Sequence, residues 1–300
     1  MRTPDPAARV KPARALHWLR RSAILGAVLA SLAWSSASLY VYFKQRSMVY
    51  LPTRDWVKTP KEAGLAFEDF RLPVKRASGA LETINVWWLP APATNGMNVL
   101  FLHGNARNMG AATNTDKITA LARAGFNVLT LDYRGYGKSD GDAPYEAALY
   151  EDTAAGLEEF KRRAPDAARR LLHGHSMGGA VAIDLAAKHG REFAAVVIEA
   201  SFSSMLNMST VNPLYRLLPI DTLLTERFES VQKIASLKLP VLFIHGTADQ
   251  RIPHGMSRQL YARAPDPKSL LLVNGATHNN LHTFPDYAGA YRLLLEMAKK

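Results

Sequence analysis

The sequence of 300 residues contains no cysteine. This absence excludes disulfide bonds, thiolate metal sites and cysteine nucleophiles, and it leaves the redox compartment open. The nine histidines show no spacing typical of a metal site, and the sequence has no internal repeat or low-complexity tract. We therefore expect no bound metal, and nothing in the sequence implies a cofactor.

Clustered basic patches are missing from the body of the chain, although the formal net charge is +11. Six basic residues and one acidic residue precede residue 22, and the remaining positive excess is spread over the rest of the sequence. A nucleic-acid site usually shows Lys and Arg clustered on one face. We therefore expect no nucleic-acid partner, and we attribute the basic N-terminus to membrane topology.

The segment from Ser22 to Phe43 contains no Asp, Glu, Lys or Arg. A helix of about 20 residues spans the hydrocarbon core of a bilayer. The basic residues upstream indicate that residues 1–21 form a cytoplasmic tail and that the bulk of the chain is exported. A cleaved signal peptide is the alternative, with Ser35-Ser36-Ala37 as the cleavage site and Ser38 as the new N-terminus. Because the apolar run continues past that site, we expect a retained transmembrane anchor over 22–43.

After a predicted linker at 44–62, residues 63–300 indicate one α/β domain in which apolar β-rich runs alternate with helical stretches. Strands are predicted at 67–72, 81–89, 98–102, 127–131, 169–172, 194–198, 241–244 and 269–273, and the clearest helices at 146–163 and 178–189. Such alternation predicts a mostly parallel central sheet with helices on both faces, whereas the first two strands form an antiparallel hairpin at its edge. The alternation stops at 201–236, where we expect a small cap because so long a plain connection is uncommon.

The motif Gly174-His175-Ser176-Met177-Gly178 lies between an apolar run and a helical stretch. In this context, Gly-x-Ser-x-Gly predicts a strained strand-to-helix turn that exposes Ser176 as a nucleophile. The alternative is an ordinary tight turn whose serine caps the following helix. We favour the nucleophile, and we expect the neighbouring His175 to pack beneath the turn.

A serine nucleophile needs a base and a group that orients the base. Asp249 and His278 each follow a predicted strand, which places both at the same edge of the sheet as Ser176. We therefore expect His278 to be the base and Asp249 the orienting acid. Glu199 also follows a predicted strand and is the alternative acid.

Backbone N–H groups are expected to form an oxyanion hole for the developing negative charge. Met177 supplies the N–H that follows the nucleophile. The loop His103-Gly104-Asn105-Ala106 follows an early predicted strand and supplies the second, with Asn105 as the best candidate and Ala106 as its neighbour.

Three segments together resemble the α/β-hydrolase superfamily. They are FLHGNA at 101–106, LDYRGYGKS at 131–139 and GHSMGG at 174–179. The segment FKQRSMVYLP at 43–52 resembles the stretch that follows the anchor in the serine-aminopeptidase-like branch of membrane-anchored hydrolases. The resemblance covers roughly residues 40–300, and its motifs are specific in combination.

This resemblance implies a catalytic triad of Ser176, Asp249 and His278, with Asn105 and Met177 lining the oxyanion hole. Thr277 departs from the pattern, since the branch often has glycine before the histidine. The implied fold is an α/β-hydrolase fold with a small cap insertion and one N-terminal transmembrane helix.

The expected activity is hydrolysis of a carboxylic ester or thioester through an acyl-enzyme on Ser176. The expected partners are a small-molecule or lipid acyl substrate and the membrane. Aminopeptidase action is an alternative that needs an acidic group for the substrate ammonium, for which Glu199 and Glu226 are candidates. A non-catalytic, membrane-anchored binding module is the other alternative. The sequence predicts neither the acyl-chain length nor the oligomeric state.

Overall fold

Eight strands form one mixed sheet in the computed structural model, which describes residues 11–298. The described strands are β1 (Leu51–Pro52), β2 (Glu68–Lys75), β3 (Leu81–Leu89), β4 (Asn98–Leu102), β5 (Ala106–Arg107), β6 (Asn127–Asp132), β7 (Arg170–His175), β8 (Ala195–Glu199), β9 (Val241–Gly246) and β10 (Lys268–Val273). β1 and β5 pair only with each other, and the others lie in the order β2-β3-β6-β4-β7-β8-β9-β10. β2, β3 and β6 are antiparallel neighbours, and the pairs from β6 to β10 are parallel.

The central strands β4, β7, β8 and β9 are buried at every residue. The near-continuous Val, Ile, Leu and Phe residues of β4, β8 and β9 are typical of parallel strands that are covered on both faces. The predicted edge hairpin is confirmed as β2 and β3. Strands β7 and β9 end later than predicted because His175 and Gly246 still pair, although neither residue is apolar.

Helices cover both faces of the sheet, as predicted. They are α1 (Lys11–Val49), α2 (Ala112–Arg123), α3 (Glu146–Arg163), α4 (Met177–His189), α5 (Met205–Ser209), α6 (Ile220–Leu223), α7 (Ser230–Lys233), α8 (Gly255–Arg263) and α9 (Pro285–Ala298). Apolar residues of α3, α4 and α8 pack on one face, and those of α2 and α9 pack on the other.

The segment between β8 and β9 contains only short helices. Besides α5, α6 and α7, it forms 3₁₀ turns at Pro213–Leu217 and Ile234–Ser236. Ile220 and Phe228 are buried, whereas Leu214 and Leu217 are exposed. We refer to residues 201–236 as the cap.

Helix α1 is long and apolar enough over Leu16–Val49 to cross a membrane, by length and composition. The helix continues to Val49, which corrects the start of the predicted linker 44–62. Lys44 ends the apolar run but not the helix, because the following residues Gln45 and Val49 pack against the folded domain. Residues 1–10 of the predicted tail lie outside the described residues.

Candidate active site

Ser176 lies between the last residue of β7 and the first residue of α4. Its backbone angles are φ 57° and ψ −123°, a conformation that is costly for a residue with a side chain. The two flanking glycines permit this turn. A Cβ atom at Gly174 would lie 2.1 Å from the carbonyl oxygen of Gly178, and one at Gly178 would lie 2.1 Å from the carbonyl oxygen of Leu102. The turn therefore needs glycine at both positions.

The three predicted side chains meet at the carboxyl ends of the parallel strands. His278 Nε2 lies 3.1 Å from Ser176 Oγ, and His278 Nδ1 lies 2.7 Å from Asp249 Oδ2. Asp249 Oδ1 accepts hydrogen bonds from the backbone N–H groups of Arg251 at 2.8 Å and Ile252 at 2.9 Å. These contacts hold the carboxylate against Nδ1, and they leave Nε2 facing the serine hydroxyl.

The electrostatic environment keeps Asp249 ionised. Burial alone would raise the pKa of this carboxyl, but hydrogen bonds from His245 and His278 outweigh it, and the pKa falls below its ordinary range. His245 Nε2 lies 3.2 Å from Asp249 Oδ2, so this histidine contacts the acid as well as its own loop. A carboxylate that stays charged can stabilise a positive charge on His278.

The predicted oxyanion loop lies next to the serine. A Cβ atom at Gly104 would lie 3.1 Å from Ser176 Cβ, and Asn105 and Met177 both border the same cavity as Ser176. The side-chain amide of Asn105 points away from this role, because its Nδ2 donates a hydrogen bond to the carbonyl of Val49 at 2.7 Å. This contact ties the loop to the end of α1 and leaves the backbone N–H as the group of Asn105 that can serve an oxyanion.

Glu199, the alternative acid, lies apart from Asp249 in a buried network that reasoning from the sequence did not find. Its carboxylate contacts Lys117 Nζ, His173 Nε2 at 2.9 Å and the hydroxyl of Tyr287 at 2.7 Å. Burial would raise the pKa of Glu199, but the Lys117 ammonium and the contacts with His173 together outweigh it and hold the pKa well below its ordinary value.

This network also contacts the turn at Ser176. The backbone carbonyl of Glu199 accepts the N–H of Ser176 at 2.8 Å. Burial keeps the pKa of His175 well below its ordinary value, and His175 Nε2 donates to the backbone carbonyl of His278 at 3.0 Å. His175 therefore packs beneath the turn, as predicted. No sequence signal identified Lys117, because a lysine on a surface helix is normally exposed.

Glu226 is the other candidate for receiving a substrate ammonium, and its carboxylate is also occupied by hydrogen bonds within the protein. Its carboxylate is buried and accepts hydrogen bonds from the hydroxyl of Tyr50, from Arg46 Nε at 2.9 Å and from the backbone N–H of Glu146 at 2.7 Å. Glu226 therefore connects the end of α1 to the cap and to α3.

A cavity of about 330 Å³ lies above Ser176 and His278. The cap borders it through residues of α5 and α6, with Tyr215 between these two helices. Helix α1 supplies a further wall with Val41, Gln45 and Met48, which the sequence did not predict because the anchor was assigned to the bilayer alone. Among the described residues, those that line this cavity include no Asp or Glu. Apart from its polar floor, the cavity is suited to an apolar group.

Comparisons with known proteins agree with this architecture. Residues 94–229 match a family model described as serine aminopeptidase, S33. The chain is 33% identical over 256 residues to the uncharacterized protein Rv2307c of Mycobacterium tuberculosis. This alignment covers 84% of this chain and 86% of that protein. It is 32% identical over 268 residues to the protein bem46 of Schizosaccharomyces pombe, which covers 86% of this chain and 84% of that protein. The chain therefore belongs to the α/β-hydrolase superfamily.

Solved structures share the fold. The esterase Pf2001 of Pyrococcus furiosus superimposes with a TM-score of 0.66 at 22% identity, covering 83% of this chain and 97% of that one. The acylaminoacyl peptidase of Pyrococcus horikoshii gives a TM-score of 0.56 at 18% identity, covering 78% of this chain and 41% of that one. At these identities the likeness is one of fold, and it includes both ester and amide hydrolases.

Proposed function

We propose that the protein is a serine hydrolase that cleaves a carboxylic ester or thioester through an acyl-enzyme on Ser176. The observation that carries the proposal is the short contact of His278 with both Ser176 and Asp249, at a serine held in a strained turn. This arrangement is the one that makes a neutral serine hydroxyl reactive.

The proposed reaction has two halves. In the first, His278 Nε2 takes the proton of Ser176 while Oγ forms a bond to the acyl carbon, and the same proton then passes to the departing alcohol or thiol. In the second, His278 takes a proton from water while the water oxygen bonds to the acyl carbon. The bond from that carbon to Ser176 Oγ then breaks, His278 returns the proton to Oγ, and the carboxylic acid leaves. Asp249 holds the ring and balances its charge, and the N–H groups of Asn105 and Met177 stabilise the oxyanion of each tetrahedral intermediate.

The cavity favours an acyl ester or thioester over an aminoacyl amide. An aminopeptidase must receive the free ammonium of its substrate, and the two carboxylates considered for that role, Glu199 and Glu226, are buried and paired with cations. A charged ammonium in a largely apolar cavity would lose its hydration without compensation. An acyl chain would bury apolar surface there instead.

We further propose that α1 anchors the protein in a membrane, with the N-terminus cytoplasmic and the domain 63–300 exported. The length of the apolar stretch and the basic residues before it support this topology. Extraction at high pH and N-terminal sequencing test the anchor. Release from the membrane, or a mature protein that begins at Ser38, would show cleavage instead.

The catalytic proposal is tested by comparing two serine variants on matched substrates. Ser176→Ala should lower kcat/KM for p-nitrophenyl esters by about 10⁴-fold or more. Ser236→Ala, an exposed serine of the cap, should act as wild type. Acyl thioesters and aminoacyl p-nitroanilides assayed in parallel decide the substrate class. Faster turnover of the anilides would favour the aminopeptidase, and equal activity of the two serine variants would refute the proposed nucleophile.

A further inference from the structure

One face of α1 contacts the cap near the end of the helix. Ser38, Val41 and Gln45 are buried, and their spacing of three and four residues places them on one side of the helix. One turn before Ser38, Trp34 Nε1 donates a hydrogen bond to the carbonyl of Leu217 at 2.7 Å. We define residues 211–217 as the cap tip. The cap tip therefore lies beside the part of α1 that contains Trp34.

The position of Trp34 sets the depth of the cap tip relative to a bilayer. Because an α-helix rises about 1.5 Å per residue, Trp34 lies about 15 Å along the axis from Lys44, where the apolar run ends. The hydrocarbon core of a bilayer is about 30 Å thick. A membrane crossed by the apolar run of α1 therefore reaches the level of the cap tip.

The composition of the cap tip suits lipid contact. Val211, Leu214 and Leu217 are 45%, 68% and 70% exposed, and Arg216 is the one charged residue of the segment. A group of exposed apolar side chains marks an interaction surface rather than a water-facing one. The long side chain of Arg216 can reach towards lipid phosphates while its neighbours enter the apolar layer.

The cap tip has one side chain at the cavity and its neighbour on the outer surface. Tyr215, within the cap tip, borders the cavity above Ser176, whereas Leu214 beside it faces outward. Val41 of α1 borders the same cavity. The two elements that would meet the lipid are thus also walls of the cavity.

We propose that the cap tip inserts into the lipid layer beside α1, and that the substrate is a long-chain acyl ester carried in that layer. The inference rests on the proposed hydrolase function and on the membrane anchor. The ester carbon–oxygen bond breaks at Ser176, the lipid alcohol leaves with the proton from His278, and water then releases the fatty acid.

The insertion is measured without any catalytic readout. Because the chain has no cysteine, Leu214→Cys creates a single labelling site for an environment-sensitive fluorophore. Full-length protein is reconstituted in vesicles of phosphatidylethanolamine and phosphatidylglycerol, some of which carry nitroxide lipids. The fluorophore should shift to the blue and be quenched by the nitroxides. The matched control is Leu81→Cys, which is 71% exposed at the start of β3 and should keep its emission as in water.

Two results would overturn the insertion. A label at position 214 with water-like emission would place the cap tip in solvent. A blue shift without nitroxide quenching would mean that a second copy of the chain covers the cap tip. Quenching at position 214 combined with no hydrolysis of any ester would instead refute the proposed function and leave the insertion standing.

The substrate class is tested with Leu214→Asp/Leu217→Asp, a variant of exposed residues in the full chain. Hydrolysis of p-nitrophenyl palmitate embedded in the same vesicles should fall about tenfold, because charged residues resist entry into lipid. Hydrolysis of water-soluble p-nitrophenyl acetate should stay at the wild-type rate. Equal losses for both esters, or no loss for either, would contradict lateral uptake from the lipid layer.

Discussion

The two sides of the cavity at Ser176 are built in different ways. On the sheet side, Ser176 and Asp249 follow strands that are buried at every residue, and His278 follows the neighbouring strand β10. On the opposite side, the cap and α1 contribute short helices, half-buried side chains and one long, mostly exposed helix. The sheet side is therefore fixed by the core of the domain, whereas the opposite side is fixed by fewer contacts.

Under the proposed function, this difference separates the chemistry from the selection of the substrate. Proton transfer at the proposed triad requires the hydrogen bonds of His278 to Ser176 and to Asp249 to be kept, and rigid strand ends provide this. Recognition of an acyl chain requires only apolar walls of suitable shape, which the cap and α1 can provide. Changes on the sheet side should therefore abolish activity or stability, and changes on the opposite side should alter which ester is preferred.

The largest expected effect is at the base. His278→Ala should lower kcat/KM for every ester by about 10⁴-fold, because His278 is the base that contacts Ser176 Oγ in the part of the chain that the structure describes. His282→Ala, four residues further along the chain, is the matched control and should remain close to wild type. Steady-state kinetics on one short and one long ester measure both variants. Equal losses in the two would remove the distinction between a reactive histidine and a neighbouring one.

The buried pair beneath the turn should give the largest effect on stability. Glu199→Gln leaves the Lys117 ammonium buried without its partner and should cost about 3–5 kcal/mol of the free energy of unfolding near pH 7. Glu229→Gln in the cap breaks a partly exposed pair with Arg227 and should cost about 1 kcal/mol or less. Urea unfolding in detergent compares the two variants with wild type.

The effect of Glu199→Gln should depend on pH in one direction. The pKa of Glu199 is lower in the folded protein than the value of about 4.3 in the unfolded chain. Its charge therefore stabilises the fold above that value, and this contribution is lost as the pH falls towards the folded pKa. The difference in the free energy of unfolding between wild type and Glu199→Gln should therefore decrease below about pH 5. A gap that widens in acid would contradict the assignment.

The next effect concerns the close approach of backbone at the turn. In Gly178→Ala the new Cβ would lie 2.1 Å from the carbonyl oxygen of Leu102, so the turn or β4 must shift. This shift should lower the free energy of unfolding by about 1–3 kcal/mol. Gly255→Ala is the control, since a Cβ there has no neighbour within 4 Å. The free energy of unfolding of Gly255→Ala should change by less than about 1 kcal/mol. Thermal unfolding distinguishes the two, and equal midpoints would contradict the tight packing of the turn.

The smallest expected effect lies on the opposite side of the cavity. Val41→Trp enlarges a side chain of α1 that lines the cavity and therefore narrows the cavity. The ratio of kcat/KM for a long-chain ester to kcat/KM for an acetyl ester should fall about tenfold. Phe43→Trp changes the same helix at an exposed position and should leave the ratio unchanged. An unchanged ratio in both variants would mean that α1 does not shape the acyl site.

Much of the sheet side could be predicted from the sequence. Continuous apolar runs marked the central strands, and the residues just after them had to lie at one edge of a parallel sheet. Asp249 and His278 could be placed near Ser176 for that reason. The glycines around Ser176 further indicated a tight turn, and both are required by the backbone distances found there.

The opposite side and the buried support could not be predicted in the same way. Lysine is normally exposed, so Lys117 could be recognised only once Glu199 was seen beside it in the folded protein. The role of α1 in the cavity depends on contacts of Val41 and Gln45 with the cap. For example, Gln45 contacts Leu223, which lies more than 170 positions away in the sequence. A local hydrophobic pattern carries no information about such contacts.

If Ser176 is the reactive group of this protein, a covalent probe for serine nucleophiles should modify it. Full-length protein is treated with a fluorophosphonate, and the modified peptide is located by mass spectrometry. We expect one adduct, on Ser176, that is absent in Ser176→Ala and forms much more slowly in His278→Ala. No adduct on the folded wild type, or an adduct on another residue, would contradict it.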